Sequence, residues 1–228
     1  MEQNSWRQVN ITYPSPDPRQ RETLAVEHLS RVLPAAETSG LITCWWFIRK
    51  GSWRIRYLPA TFSDPARTLL TKAVDWTADV YEPETHAFGG PASMSAAHNL
   101  FHHDSRHLLG YLNDDPNDRR ERALILCTAL MRGAGFDINE QGDVWANIAQ
   151  QRATLETRPP SPDLGAWAQF TADVRHLLLG TPGANAIASD WLAAFGGTGR
   201  TLRTLRESGQ LTRGIRAITG LHVIFHMN

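Results

Sequence analysis

LITCWWFIRKGSWRIRYL, residues 41–58, decides the fold class. It divides at Lys50-Gly51, where the chain turns. Before the turn, Leu41 to Ile48 carries apolar residues on both faces, the pattern of a strand in the middle of a sheet and covered on both sides. After it, Ser52 to Leu58 alternates cleanly, with Trp53, Ile55 and Tyr57 on one face and Arg54 and Arg56 on the other. Period two places both guanidiniums on one face, about 7 Å apart along the strand. An arginine pair beside a buried strand is an anion site in search of a partner; a merely solvated strand face is the plainer reading.

Working outward, Trp6 to Tyr13 alternates Val9, Ile11 and Tyr13 against Gln8, Asn10 and Thr12, which predicts a half-buried strand. The proline-rich loop 14–18 leads to an amphipathic helix, Arg19 to Leu33, that should stop before Pro34. Asp64-Pro65 reads as an N-cap followed by a first-turn proline, starting a helix that reaches Ala78. Tyr81 to Glu84 is extended, since Pro83 disfavours a helical Glu82. Glu82 and Glu84 share a face there, as counterions for Arg54 and Arg56 or as an acid–base pair.

Gly89-Gly90-Pro91 opens a helix over about 92–112. Met94, Ala97, Phe101 and Leu108 form its core stripe, with Asp104 and Ser105 on or beside it. A carboxylate aimed at a core must be paired or hydrogen-bonded. Asp104 should therefore turn inward and orient Arg54 or Arg56, with Ser105 as a further donor.

Helical patterns follow at 119–133, 139–155, 164–179, 187–195, 202–208 and 215–227, with TRPPSPD at 157–163 as a possible linker. Gly196-Gly197-Thr198-Gly199-Arg200 reads as a flexible loop. The class is α+β: an antiparallel β-sheet in the N-terminal third packed against a mostly helical remainder, one domain over 1–228.

The 228 residues are 42% hydrophobic and 20% charged, an ordinary globular composition. Lys plus Arg equals Asp plus Glu at 23 each, which removes the electrostatic footprint of a general nucleic-acid binder. Cys44 and Cys127 lie in apolar segments without metal-ligand spacing and read as small buried hydrophobes. Neither a signal peptide nor a membrane-spanning run is visible, so a cytoplasmic location is expected. Five of the nine histidines fall between His86 and His107. His98/His102 and His103/His107 have helical ligand spacing, but Asn99 stands where the metalloprotease motif needs glutamate, so no metal is expected. The Gly89-Gly90 turn lacks the lysine and spacing of a nucleotide loop, and no other cofactor is indicated.

WWFIRKGSWRIRY (45–57), YEPETHAFGG (81–90), AHNLFHHDSRHLL (97–109) and RGIRAITGLHVIFHMN (213–228) together resemble the thiopeptide-type bacteriocin biosynthesis proteins. That family is similar to the C-terminal elimination domain of class I lanthipeptide dehydratases. The resemblance implies work on a ribosomally made precursor peptide, leader and core. In the dehydratases another domain glutamylates serine or threonine from glutamyl-tRNA, and the elimination domain expels glutamate to leave a dehydroamino acid. A diverged branch, the pyridine synthases, performs a formal [4+2] cycloaddition between dehydroalanines. A non-catalytic accessory that binds the leader peptide is the third reading.

The resemblance assigns the family's arginine pair to Arg54 and Arg56 and its terminal-helix histidine to His222 or His226. Glu82, Glu84, Asp104, Ser105, Arg213 and Arg216 are the substrate-binding candidates. A further family arginine, just before the Gly-Gly turn, is here Ala87, a departure that favours a reaction other than glutamate elimination. With no glutamylation domain in the sequence, a separate dehydratase subunit is the expected partner, and neither direct nucleic-acid binding nor membrane association is expected.

Overall fold

The computed structural model describes residues 6–114, 118–153, 163–179 and 187–227. The expected linker, Asp163 apart, lies outside them. The chain divides into two compact units: residues 6–83 with 101–114, and residues 84–100 with those described beyond 117. The class is the α+β read from the sequence, with the sheet confined to residues 7–79.

The first unit is built on β1 (Arg7–Thr12), α1 (Pro18–Thr38), β2 (Ile42–Lys50), β3 (Ser52–Pro59), α2 (Pro65–Leu70) and β4 (Asp75–Asp79). The strands form one antiparallel sheet in the order β2-β3-β1-β4. Register places Val9 opposite Ile55 and Ile11 opposite Trp53, with Phe47 opposite Ile55 on the other side. These side chains share one face and form a core with Leu29 and Leu33 of α1 and Leu70 of α2, all almost fully buried. Each such aliphatic contributes roughly 1.5–3 kcal/mol by leaving water.

Several expectations need correction. β2 is an edge strand, not a central one. Its two-sided apolar character has another cause: Trp45 and Phe47 enter the α1 core, while Trp46 on the opposite face stacks on Phe101 at 4.7 Å. α1 does not stop at Pro34 but runs to Thr38. Leu33 and Ala36 are both fully buried, and their burial offsets the backbone hydrogen bond that proline removes.

The helix expected to reach Ala78 ends at Leu70, and Asp75–Asp79 pairs with β1 instead. Pairing on the open side of β1 outweighs the local helical pattern. Asp64 precedes α2 in a left-handed conformation (φ 50°) and does not cap it with its side chain. Its carboxylate accepts from the Tyr57 hydroxyl at 3.0 Å.

The second unit holds the start of α3 (Pro91–Asn113, which ends in the first unit), then α4 (Arg119–Gly133), α5 (Ile138–Ala153), α6 (Leu164–Leu179), α7 (Ser189–Glu207) and α8 (Ile215–Met227). A further correction is here. The expected glycine loop at 196–200 is continuous helix inside α7. Its glycines allow close contact with α4: a Cβ on Gly199 would lie 2.1 Å from the Leu130 carbonyl oxygen, and one on Gly133 would lie 2.4 Å from that of Gly196. A close backbone crossing, not a turn, is what those glycines serve. Cys127 is buried on α4 as expected, whereas Cys44 is half-buried. No helix among the described residues is long and apolar enough to cross a membrane.

Candidate functional site

In the first unit, the sheet face opposite α1 carries a polar row. Register sets Arg56 beside Gln8 and Arg54 beside Asn10, with Asp79 and Thr77 next across β4. Arg56 is 7% exposed. Its Nε donates to Gln8 Oε1 at 2.7 Å, and Gln8 Nε2 in turn donates to Asp79 Oδ2 at 2.8 Å. Asn10 Nδ2 also donates to Asp79 Oδ2, at 3.1 Å. The Arg56 guanidinium lies 4.4 Å from the Trp46 ring centre and 4.3 Å from that of Tyr81. Two aromatic faces and one amide thus hold a desolvated cation in one orientation.

Arg54 is half-buried, and its Nε is buried without a hydrogen-bond acceptor among the described residues. A buried guanidinium donor without an acceptor is costly.

The acidic group serving this platform is Asp79, which sequence reading placed just past a helix end. The Asn10 side chain first, then the Val80 backbone N–H, hold its carboxyl below the usual carboxylate range, and the Arg54 and Arg56 charges act in the same direction. Glu82 and Glu84, the expected counterions, have exposed side chains. A period-two reading of DWTAD would have revealed Asp79, because it shares a strand face with Thr77.

Asp104 is turned inward, 8% exposed, as its stripe requires. Ser105 Oγ accepts from the Phe47 backbone N–H at 3.2 Å. His102 Nδ1 lies 2.9 Å from the Trp45 carbonyl oxygen and 3.2 Å from its nitrogen. Side chains of α3 therefore satisfy the open edge of β2, and His102 has a ring nitrogen engaged there. Ser105 is occupied with the edge strand.

In the second unit the Gly89-Gly90 turn docks on the segment leading into α8. Both glycines take positive φ, 81° and 115°, and a Cβ on Gly89 would lie 2.4 Å from Ile218 Cδ1. Thr212 N–H donates to the Gly89 carbonyl at 3.0 Å, and Arg213 Nη1 donates to that of Ala87 at 2.9 Å. Phe88, fully buried, stands edge-on to His222 with centroids 5.1 Å apart.

His222 is 1% exposed, and burial pushes its pKa down to about 4. Its Nδ1 lies 3.0 Å from the Ile218 carbonyl oxygen. A carbonyl only accepts, so the neutral ring carries its proton on Nδ1 and a basic lone pair on Nε2. His226 is half-buried, edge-on to Phe195 at 5.0 Å. Arg213 and Arg216 are brought together: both line a cavity of about 400 Å³ walled by Val144, Ile148, Leu221 and Ile224. Arg216 is paired there with Asp143 at 2.7 Å.

Residues 6–228 match the sequence profile of the lantibiotic biosynthesis dehydratase C-terminal family. The chain belongs to that family. The match covers both units of this lantibiotic dehydratase C-terminal domain, the arginine platform and α8 included. No curated protein matches it. Its fold is similar to that of the tRNA-dependent lantibiotic dehydratase MibB from Microbispora sp. 107891, with a TM-score of 0.59 and 15% identity. All of the present chain is covered in that comparison but only 26% of MibB, so the domain spans about a quarter of that protein. TsrL is similar as well, with a TM-score of 0.60 and 15% identity over 90% of this chain and 70% of the other.

Proposed function

We propose that this domain eliminates glutamate from glutamylated serine or threonine residues of a precursor peptide. The observation that carries the reading is the platform of Arg54 and Arg56. Elimination removes the α-proton, forms the Cα–Cβ double bond and breaks the Cβ–O bond, and the electron pair leaves on the glutamate carboxylate. The leaving group is therefore an anion, and a cation already oriented toward it lowers the barrier without reorganisation. Arg56 is fixed by Trp46, Tyr81 and Gln8, and half-buried Arg54 adds a second guanidinium on the same strand face.

The α-proton requires a base. The family resemblance offers His222 or His226 of the terminal helix for that part. No cofactor enters this scheme. Glutamylation itself is assigned to a separate partner subunit, and the neutral charge balance accords with a domain that does not hold tRNA.

A second reading, pyridine-forming cycloaddition on dehydroalanines, is favoured by Ala87 at the position of the family's further arginine. Mass spectrometry of precursor peptides after incubation separates the readings. Loss of glutamate from a glutamylated peptide supports elimination. Ring formation with leader release from a dehydroalanine peptide supports cycloaddition. Binding of the leader with no mass change in either peptide leaves an accessory role and refutes both.

A further inference from the structure

Gln8, Asn10 and Asp79 are joined in one closed set of hydrogen bonds on the sheet. Gln8 is 4% exposed, and its amide lies between Arg56 and Asp79. Arg56 Nε can only donate, so the Gln8 oxygen must face it, at 2.7 Å. Asp79, its pKa held low by the Asn10 side chain first and then the Val80 N–H, is ionised near neutral pH and can only accept. The Gln8 nitrogen must therefore face Asp79 Oδ2, at 2.8 Å. Both neighbours demand the same amide orientation.

Asn10 links the two. Its Oδ1 accepts from Gln8 Nε2 at 2.9 Å, and its Nδ2 donates to Asp79 Oδ2 at 3.1 Å. Without the carboxylate, two neighbouring amides can pair in either sense, because each has a donor end and an acceptor end. One sense gives Arg56 an oxygen; the other turns an NH2 toward it. An acceptor-only group removes that choice. Asp79 is itself fixed: its Oδ1 accepts from the Val80 N–H at 2.8 Å, and β4 register sets it opposite Gln8.

We infer that Asp79 is a positioning residue: it orients the Gln8 amide and, through Gln8, sets the direction of the Arg56 guanidinium between the Trp46 and Tyr81 rings. Its part in catalysis rests on the elimination reading above, in which an oriented cation receives the departing carboxylate. The orientation of Arg56 does not depend on that reading. Asp79 is exposed, so its replacement removes no core packing.

The test follows the Arg56 Nε–H resonance in the chain labelled with ¹⁵N-arginine, assigned by its loss in Arg56→Lys. Its exchange with solvent should be slow in the wild type and about tenfold faster in Asp79→Asn, the worth of one hydrogen bond. Asp75→Asn removes the same charge from the other end of β4, where the partner on β1 is Thr12, and should leave the rate unchanged. The double variant Gln8→Glu/Asp79→Asn moves the acceptor-only group beside Arg56 and should restore slow exchange. Equal exchange in wild type and Asp79→Asn, an equal acceleration in Asp75→Asn, or no restoration in the double variant overturns the inference. With a glutamylated peptide, Asp79→Asn should lower kcat about tenfold with KM within about twofold of wild type. An unchanged kcat overturns the positioning role. A wild type that releases no glutamate sinks the elimination reading instead, and the Nε–H comparison still decides the orientation of Arg56.

Discussion

Replacing Arg56 with alanine should destabilise the first unit, whereas replacing Arg54 with glutamine should not. Arg56 loses a charged hydrogen bond to Gln8, a contribution of about 1.5–3 kcal/mol. It also leaves two aromatic faces at 4.3–4.4 Å, each contributing roughly 0.5–2 kcal/mol when desolvated. Relief of the buried charge returns part of that sum, and the expected net loss is about 3 kcal/mol. Arg54 Nε has no acceptor among the described residues to lose, so its replacement should stay within about 0.5 kcal/mol. Urea unfolding of both variants measures this, read as a change in midpoint at unchanged slope. Equal midpoint shifts for the two variants would refute the division into a fixed cation and an open one.

Gly199→Ala forces a Cβ to within 2.1 Å of the Leu130 carbonyl oxygen and should destabilise the α4–α7 crossing by about 3 kcal/mol; an unchanged melting temperature would show that the two helices separate freely. Ser105→Ala leaves the Phe47 N–H without its acceptor and should lower stability by about 1–2 kcal/mol while leaving peptide binding unaltered; loss of binding at unchanged stability would return Ser105 to the substrate. The folded pKa of His222 is depressed to about 4, so the unfolded chain binds the extra proton first as pH falls. Stability from this group is complete above about pH 6.5 and is lost between there and about pH 4, by roughly 3 kcal/mol. Denaturant unfolding of wild type and His222→Phe across that window checks it, and parallel pH curves would contradict it.

The arginine pair was legible because strand period alone fixes which residues share a face. Trp53, Ile55 and Tyr57 against Arg54 and Arg56 needed no tertiary knowledge, and the structure places Tyr57 in the core and Arg56 across from it, clamped by rings. Asp104 was legible in the same way, from helical period. What failed was decided by partners distant in sequence. Residues 75–79 carry a helix-compatible composition, and only the vacancy beside β1 makes them a strand, so Asp79 was missed and Glu82 and Glu84 were assigned in its place. The glycines at 196, 197 and 199 carry the same local signal in a loop and in a tight helix crossing; α4 settles which. β2 looked central because two apolar faces say nothing about its hydrogen-bonding edge, and His102 and Ser105 supply that edge from 57 and 58 residues away.

The rate of glutamate release from a glutamylated precursor peptide, in wild type and in Arg54→Gln, tests the central claim most directly. Loss of one preorganised donor to a developing anion typically lowers the rate by about 100-fold or more. Release by the wild-type domain is expected, with a fall of about that size in Arg54→Gln at an unchanged urea midpoint. Equal rates in the two proteins, or a wild-type domain that binds the glutamylated peptide and leaves the ester intact, would contradict it.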